Sequence, residues 1–331
     1  MTTTTDRTMR AVLHDRYGTS SVLHLGRITI PVIGDHDVLV DVRAAGLDRG
    51  TEHLMTGKPY AVRLATGIRR PRNPVPGRDV AGIVTGIGAA VTRFAVGDQV
   101  YGVAPGSFAE YTVARESQLA RKPANLSFAE AAVVPVSGAT ALRALVDVGR
   151  VQSGQSVLVL GASGGVGSYA VQLAKAYGAE VTGVCSTHKT DLVASLGADD
   201  VIDYTRDGFA DGRRTYDVVL DIAGNPPLGQ LRRALGPRGT AVFVGGEGSG
   251  AVTGMGRQIR GALISPFVRQ RLVLLVAKER ASDYERLTDL IETGQVTPSL
   301  DRTYALDEVP QAMQRLEAGQ VRGKVAITPE R

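Results

Sequence analysis

Four glycines, Gly161, Gly164, Gly165 and Gly167, crowd into one turn of the stretch "VLVLGASGGVGSYAVQLAKAYGAEVTGVCSTHKT", residues 157 to 190. An apolar run, Val157 to Leu160, precedes them, and a helical pattern with Val171, Leu173 and Ala174 follows. Glycine between strand and helix lets a backbone approach a pyrophosphate, while the helix start offers free N–H groups and a positive dipole end. In register with the dinucleotide fingerprint G-x-G-x-x-G stand Ala162, Gly164 and Gly167, with Ser163, Gly165 and Val166 completing the turn. These six residues are expected to bind a dinucleotide; a glycine-rich turn without ligand is the competing reading. A ribose-binding acid is due about 20 residues on. That place holds Cys185, Ser186, Thr187, His188 and Lys189 instead. A carboxylate there would repel a 2′-phosphate, whereas a hydroxyl and an ammonium would receive it, so Ser186 and Lys189 point to NADPH. Against this stands a plainer reading, with Ser186 and Thr187 capping the next helix and Lys189 solvated.

Elements must position these groups. Residues 10 to 125 show short β-type runs, Val38 to Val42, Val80 to Thr85, Gln99 to Val103 and Tyr111 to Val113, separated by Gly and Pro turns. From about residue 129 the pattern changes to a helix (Ala129 to Val148) and then strands at 157–160, 180–185, 201–203, 217–221 and 240–244 with helices between most of them. Leu272 to Ala277 reads as a sixth strand, followed by a helix around Tyr284 to Glu292, a short helix from Val309 to Leu316 and a strand from Lys324 to Thr328. The expected fold class is α/β, a β domain over 1–128 completed by 279–331 and a doubly wound parallel sheet over 129–278. The last elements are too short to make a core alone and are expected to return to the first domain.

Composition excludes several classes. With 331 residues, 43% hydrophobic and 21% charged, the chain can pack two domains. A formal charge of +5 is spread along it and Trp is absent, so no basic stripe with stacking aromatics suggests nucleic acid. No apolar run reaches the roughly 18 to 20 residues that span a bilayer, and the start, MTTTTDRTMR, lacks a signal-peptide core. A soluble, cytoplasmic protein is expected. One cysteine and five histidines without ligand spacing speak against a metal site. The arginines at 69, 70 and 72 are read as a solvated loop.

Longer motifs carry a resemblance over nearly the whole chain: "PVPGRDVAGIVTGIGAAVTRFAVGDQVYG" (74 to 102), "GSFAEYTV" (106 to 113), "GASGGVGSYAVQLAKAYGA" (161 to 179), "LGADDVIDY" (196 to 204) and "RGKVAI" (322 to 327). With them the sequence resembles the medium-chain dehydrogenase/reductases, in their zinc-independent quinone oxidoreductase-like branch. The resemblance implies a GroES-like β domain built from both chain ends, a Rossmann domain binding NADPH, and an active site in the cleft where nicotinamide meets substrate. Zinc-dependent members carry an early Cys, near whose position Asp48 stands, and a Gly-His-Glu motif, which Pro76-Gly77-Arg78-Asp79 replaces, and their four-cysteine lobe has no counterpart.

Position by position, the resemblance places Asp48 by the nicotinamide ribose and His53 at the substrate cleft, where they replace an Asn and an aromatic residue. An acceptor for a ribose hydroxyl and a proton donor are the roles implied; polar loop residues are the competing reading. Thr140 matches a nicotinamide contact, Tyr204 a neighbour of the 2′-phosphate, Val244 and Gly245 the backbone flanking the carboxamide, and Lys324 a terminal lysine near the cofactor. Met55, Tyr60, Met255 and Phe267 are candidate substrate-pocket walls, with plain core as the alternative. Hydride transfer from NADPH to quinones or α,β-unsaturated carbonyl compounds is the reaction implied. A metal-free alcohol dehydrogenase and a non-catalytic NADPH-binding redox sensor are the alternatives. Relatives pair the sixth strand across a homodimer, so a homodimer is expected.

Overall fold

The computed structural model describes residues 7–212, 214–245, 254–276 and 279–329. The chain divides into two compact units, Met1–Val136 with Glu279–Glu292 and Leu300–Arg331, and Ser137–Lys278 with Thr293–Ser299.

The first unit begins with an antiparallel pair, β1 (Thr8–Leu13) and β2 (His24–Thr29). The main sheet is built on β3 (Asp37–Leu47), with β4 (Asp79–Ile87), β5 (Gln99–Val103), β6 (Tyr111–Arg115) and β7 (Leu119–Arg121). Strand β3 is long enough to pair antiparallel with both β4 and β6. Its Gly46 lies opposite Asp79, where a Cβ would collide with the Ala132 carbonyl and stand 2.8 Å from the Asp79 Cβ. The missing side chain is what admits Asp79 to the interior.

The expected single helix from Ala129 to Val148 is broken. A capping box between Ser127 and Glu130 starts Phe128–Ala132, a new helix runs Pro135–Arg143, and a π turn follows over Ala144–Gly149. Pro135 explains the break: it has no N–H to donate into the preceding turn and disfavours helical backbone before it, yet fits a helix start.

In the second unit the strands are β8 (Ser156–Leu160), β9 (Glu180–Cys185), β10 (Asp200–Asp203), β11 (Tyr216–Asp221), β12 (Leu235–Phe243) and β13 (Arg271–Leu274). Their order is β10-β9-β8-β11-β12-β13 and every pairing is parallel. Such a sheet needs strands apolar on both faces, which "VLVL" in β8 and "VVL" in β11 supply. Strand β13 stops at Leu274, shorter than expected. Val276 is already exposed, and Ala277 lies outside the described residues.

The chain then returns to the first unit. Strand β14 (Leu300–Ala305) pairs parallel with β15 (Lys324–Thr328), which pairs antiparallel with β3. Met313, Val325 and Ile327 join Val40, Leu47, Val80 and Phe108 in one core. The helix Ala281–Glu292 belongs to this unit too. Buried Tyr101 on β5 donates a hydrogen bond to the Tyr284 carbonyl at 2.6 Å and lies 2.9 Å from the Thr288 hydroxyl. Tyr101→Phe is expected to destabilise the protein by about 1–3 kcal/mol, since both partners lose a hydrogen bond in an enclosed place. Urea unfolding of the two proteins measures it, and a difference below about 0.5 kcal/mol, the size of a neutral surface change, would show that the contact contributes nothing.

Candidate active site

In the second unit β8 ends at Leu160 and the helix Gly165–Ala176 begins five residues later. Gly161 makes the turn with φ +84°, a left-handed conformation that disfavours a side chain. Gly167 packs the helix on the strand: a Cβ there would collide with the Gly161 carbonyl and stand 2.7 Å from the Ala162 Cα. Ala162 takes the first fingerprint position because Gly183 on β9 leaves room; a Cβ on Gly183 would lie 3.1 Å from that of Ala162. Gly164 is the N-cap and no side chain caps the helix, so its first N–H groups are left for a ligand. These features fit a dinucleotide diphosphate.

At the end of β9, Cys185 is buried, and its surroundings push its thiol up to about 11. Ser186 follows in extended conformation and its side chain makes no capping bond. Thr187 does not cap either; its hydroxyl donates to Asp203 Oδ2 at 2.6 Å and lies 2.9 Å from the Thr205 hydroxyl. The acid absent from the end of β9 thus has a counterpart at the end of β10, in register with Cys185. The hydrogen bond from Thr187 holds the Asp203 carboxyl below its usual range, with help from Thr205. Tyr204 is 62% exposed and donates its backbone N–H to the Cys185 carbonyl at 3.1 Å.

Beyond the end of β12, the Val244 and Gly245 N–H groups donate to the Asp221 carbonyl at 3.0 and 3.2 Å. A Cβ on Gly245 would collide with the Ile222 carbonyl. The Asp221 carboxyl, buried at the end of β11, pairs with Arg257 at 2.5 Å, and Arg257 also reaches the Pro226 carbonyl and the Asn225 side chain. Gln258 donates to the Gly245 carbonyl at 3.0 Å. The strand ends are thereby tied to the helix Gly256–Ile264.

In the first unit, Asp48 ends β3 and caps the helix Arg49–Thr56, its Oδ1 accepting from the Thr51 N–H at 2.7 Å and the Thr51 hydroxyl at 3.0 Å. Its Oδ2 is buried without a hydrogen-bond partner, 3.9 Å from the Lys324 ammonium. Lys324 donates to Asp79 Oδ2 at 3.0 Å, and Asp79 Oδ1 accepts from the Val136 N–H at 2.8 Å. Arg78 is ion-paired with Glu279. Burial pushes the Asp79 carboxyl up to about 6; Lys324 opposes the rise and the neighbouring Asp48 charge adds to it.

Two family descriptions match the chain, "Alcohol dehydrogenase GroES-like domain" over residues 34–124 and "Zinc-binding dehydrogenase" over 196–327. A 2-methylene-furan-3-one reductase of Solanum lycopersicum is 37% identical, covering 97% of this chain and 79% of the relative. An NADPH-dependent alkenal/one oxidoreductase of Arabidopsis thaliana, chloroplastic, is 36% identical over 97% of this chain and 80% of its own. The chain belongs to the medium-chain dehydrogenase/reductase superfamily. The solved quinone oxidoreductase of Coxiella burnetii, 28% identical, superposes with a TM-score of 0.86 over 98% of this chain and 100% of that one.

Within this medium-chain dehydrogenase/reductase the residues fall as follows. Arg78 and Lys324 put two cations beside Asp48, Asp79 and Glu279. Lys324, expected near the cofactor, is 1% exposed and paired with Asp79, as a buried ammonium must be. Met55 is fully buried in the core, and its neighbour Leu54 lines a cavity instead. His53 and Thr140 are half-buried. Tyr60, Met255 and Phe267 are exposed, and none of them lines that cavity. The pairs Asp79–Lys324 and Asp221–Arg257 went unread in the sequence because nothing local marks partners so far apart.

A carboxyl raised from 3.8 to about 6 is protonated in the folded state, and ionised in the unfolded chain, between those values. Unfolding there releases a proton, so stability is greater at low pH and falls as pH rises from 4 through 6, by up to about 3 kcal/mol. Asp79→Asn is expected to flatten this part of the urea-midpoint profile between about pH 4 and 6, the window set by the two pKa values. Equal slopes for the two proteins would refute the assignment.

Proposed function

We propose that this chain is an NADPH-dependent, zinc-independent oxidoreductase that reduces α,β-unsaturated carbonyl compounds and quinones. The observation that carries the reading is the uncapped helix start at Gly164 behind a turn that only glycine fits, followed by a strand end that offers Ser186 in place of an acid. The named reductase and alkenal/one oxidoreductase relatives support the substrate class. When bound, NADPH supplies a hydride to the electrophilic carbon of the acceptor. Ala162, Ser163, Gly164, Gly165, Val166 and Gly167 hold its diphosphate, and Ser186, Lys189 and Tyr204 its 2′-phosphate. Thr140, Val244 and Gly245 orient the nicotinamide. Asp48 Oδ2, buried and without a hydrogen-bond partner, accepts from a ribose hydroxyl. His53 or solvent returns the proton. The single thiol suits a cytoplasmic, reducing location.

Ser186→Ala with Lys189→Ala should weaken NADPH binding about 10- to 100-fold while NADH binding changes little, the loss of one or two charge-assisted hydrogen bonds. Fluorescence titration with both cofactors, followed by cofactor consumption against a simple enone and a simple quinone, tests this. Preference of the native protein for NADH would overturn the cofactor assignment, and NADPH binding without turnover would replace the enzyme by a sensor.

The same reading includes a homodimer through the open edge of β13. Leu263 (68% exposed), Phe267 (87%) and Val276 (74%) are apolar side chains close to that strand in sequence, and an open edge of this kind favours pairing with a second copy. Light scattering should give twice the chain mass at micromolar concentration and a monomer for Phe267→Glu; a native monomer would refute the dimer.

A further inference from the structure

The arginines at 69, 70 and 72 are exposed in irregular backbone, as expected, and one of them also lines a cavity. Tyr17 donates to the Gly67 carbonyl at 2.5 Å, and its hydroxyl lies 2.7 Å from that of Thr66. The Arg63 guanidinium stacks on the Tyr17 and Tyr60 rings at 4.3 and 4.8 Å. Gly67 has φ +121°, and a Cβ there would collide with the Arg70 carbonyl and lie 3.3 Å from Arg72 Cγ. The chain folds back on this glycine, so that the Arg72 N–H reaches the Thr66 carbonyl at 2.7 Å. Arg72 is thereby set on the wall of a cavity of about 410 Å³ that lies wholly within the first unit.

Arg78 lines the same cavity, with His14, Leu54, Asn73 and Gln118, and no aspartate or glutamate is among the lining residues. Burial pushes the His14 imidazole down, which leaves the two guanidinium groups as the charge of the wall. Arg78 has Glu279 as its partner, outside the lining. No carboxylate pairs with Arg72 among the described residues. A concave wall with one sign of charge gathers the opposite sign, and a guanidinium matches a carboxylate in two parallel hydrogen bonds.

We infer that this cavity receives an anionic acceptor, an α,β-unsaturated ketone or aldehyde that also carries a carboxylate, and that Arg72 binds the carboxylate. The inference rests on the reductase reading above and names its substrate class. In the step, the hydride forms a C–H bond at the β-carbon and the carbon–carbon π pair shifts toward the carbonyl oxygen. The α-carbon then takes a proton from solvent, so the acceptor is reduced by two electrons and the cofactor oxidised by two.

Acetylacrylate and its methyl ester form the test pair, because the ester is the stronger electrophile and intrinsic reactivity favours it. With NADPH, kcat/KM should favour the free acid by about tenfold or more, the effect of one charged hydrogen-bonding pair. The acid-to-ester ratio should fall in about 1 M salt, where the screening length is about 3 Å, and fall about tenfold in Arg72→Gln. Arg72 is exposed, so the variant should fold. A native ratio at or below one, or a ratio unchanged by Arg72→Gln, overturns the inference. If neither compound is reduced, calorimetric titration of the NADPH-bound protein separates the two claims. Binding of the acid that Arg72→Gln removes keeps the anion site and refutes the reductase reading; no binding of the acid refutes the site.

Discussion

One buried ammonium organises the first unit. Lys324 and Asp79 are 245 residues apart in sequence, and both are almost wholly removed from water. An unpaired charge in that position would cost several kcal/mol, so the place of β15 beside β3 is coupled to the pairing as well as to backbone hydrogen bonds. The consequences spread from Asp79. Gly46 must lack a side chain to admit it, and its second oxygen takes the Val136 N–H at the start of the Pro135–Arg143 helix. Asp48, two residues beyond Gly46, is drawn into the same field and caps the next helix with the oxygen that Lys324 does not face. A second carboxylate near one ammonium leaves more negative charge than the ammonium can balance, which helps to raise the Asp79 carboxyl. Asp48 and Lys324 act here through their buried charge, whatever else they touch.

The second unit solves a different problem, the close approach of backbone to backbone. Its cradle depends on glycines at three separate points. Gly161 turns the chain, Gly167 lets the helix rest on the strand, and Gly183 on the neighbouring strand makes space for the Ala162 methyl group. The alanine at the first fingerprint position is therefore no weakening of the motif, since its volume is answered across the sheet. Asp221 and Arg257 then fix the far side of the strand ends, where burial raises the Asp221 carboxyl to about 6 against the pull of Arg257.

What could be read in the sequence follows from how local each signal is. Strands β5 and β15 have the bounds expected of them, because alternation and turn residues lie within the segment itself. The cradle was legible for the same reason. Met55 and Leu54 show where locality ends: one residue along a helix is about 100° of rotation, and only the packed neighbours decide which of the two meets the core and which the cavity. Asp203 escaped because the expected acid was sought at the end of β9, and parallel register brings in the end of β10. The 129–148 helix failed at Pro135, where apolar periodicity continued across a residue that cannot continue the hydrogen-bond ladder. Arg72 and Arg78 are separated by Asn73, Pro74, Val75, Pro76 and Gly77 in an irregular segment, where no period relates one side chain to another.

The distribution of charge in the first unit joins these points. Three of its carboxylates have named partners: buried Asp79 with Lys324 and the Val136 N–H, buried Asp48 with Thr51, and half-buried Glu279, outside the cavity lining, with Arg78. The cavity wall shows only cations. Hydride addition to an enone places negative charge on the carbonyl oxygen, and a fixed donor aimed at such charge is worth about 10²–10³ in rate in enzymes where it has been removed. A metal ion would supply the same stabilisation by polarising the oxygen. Arg78 lies on that wall with its charge answered by Glu279, which keeps a planar, permanently charged donor at the cavity without leaving it unpaired.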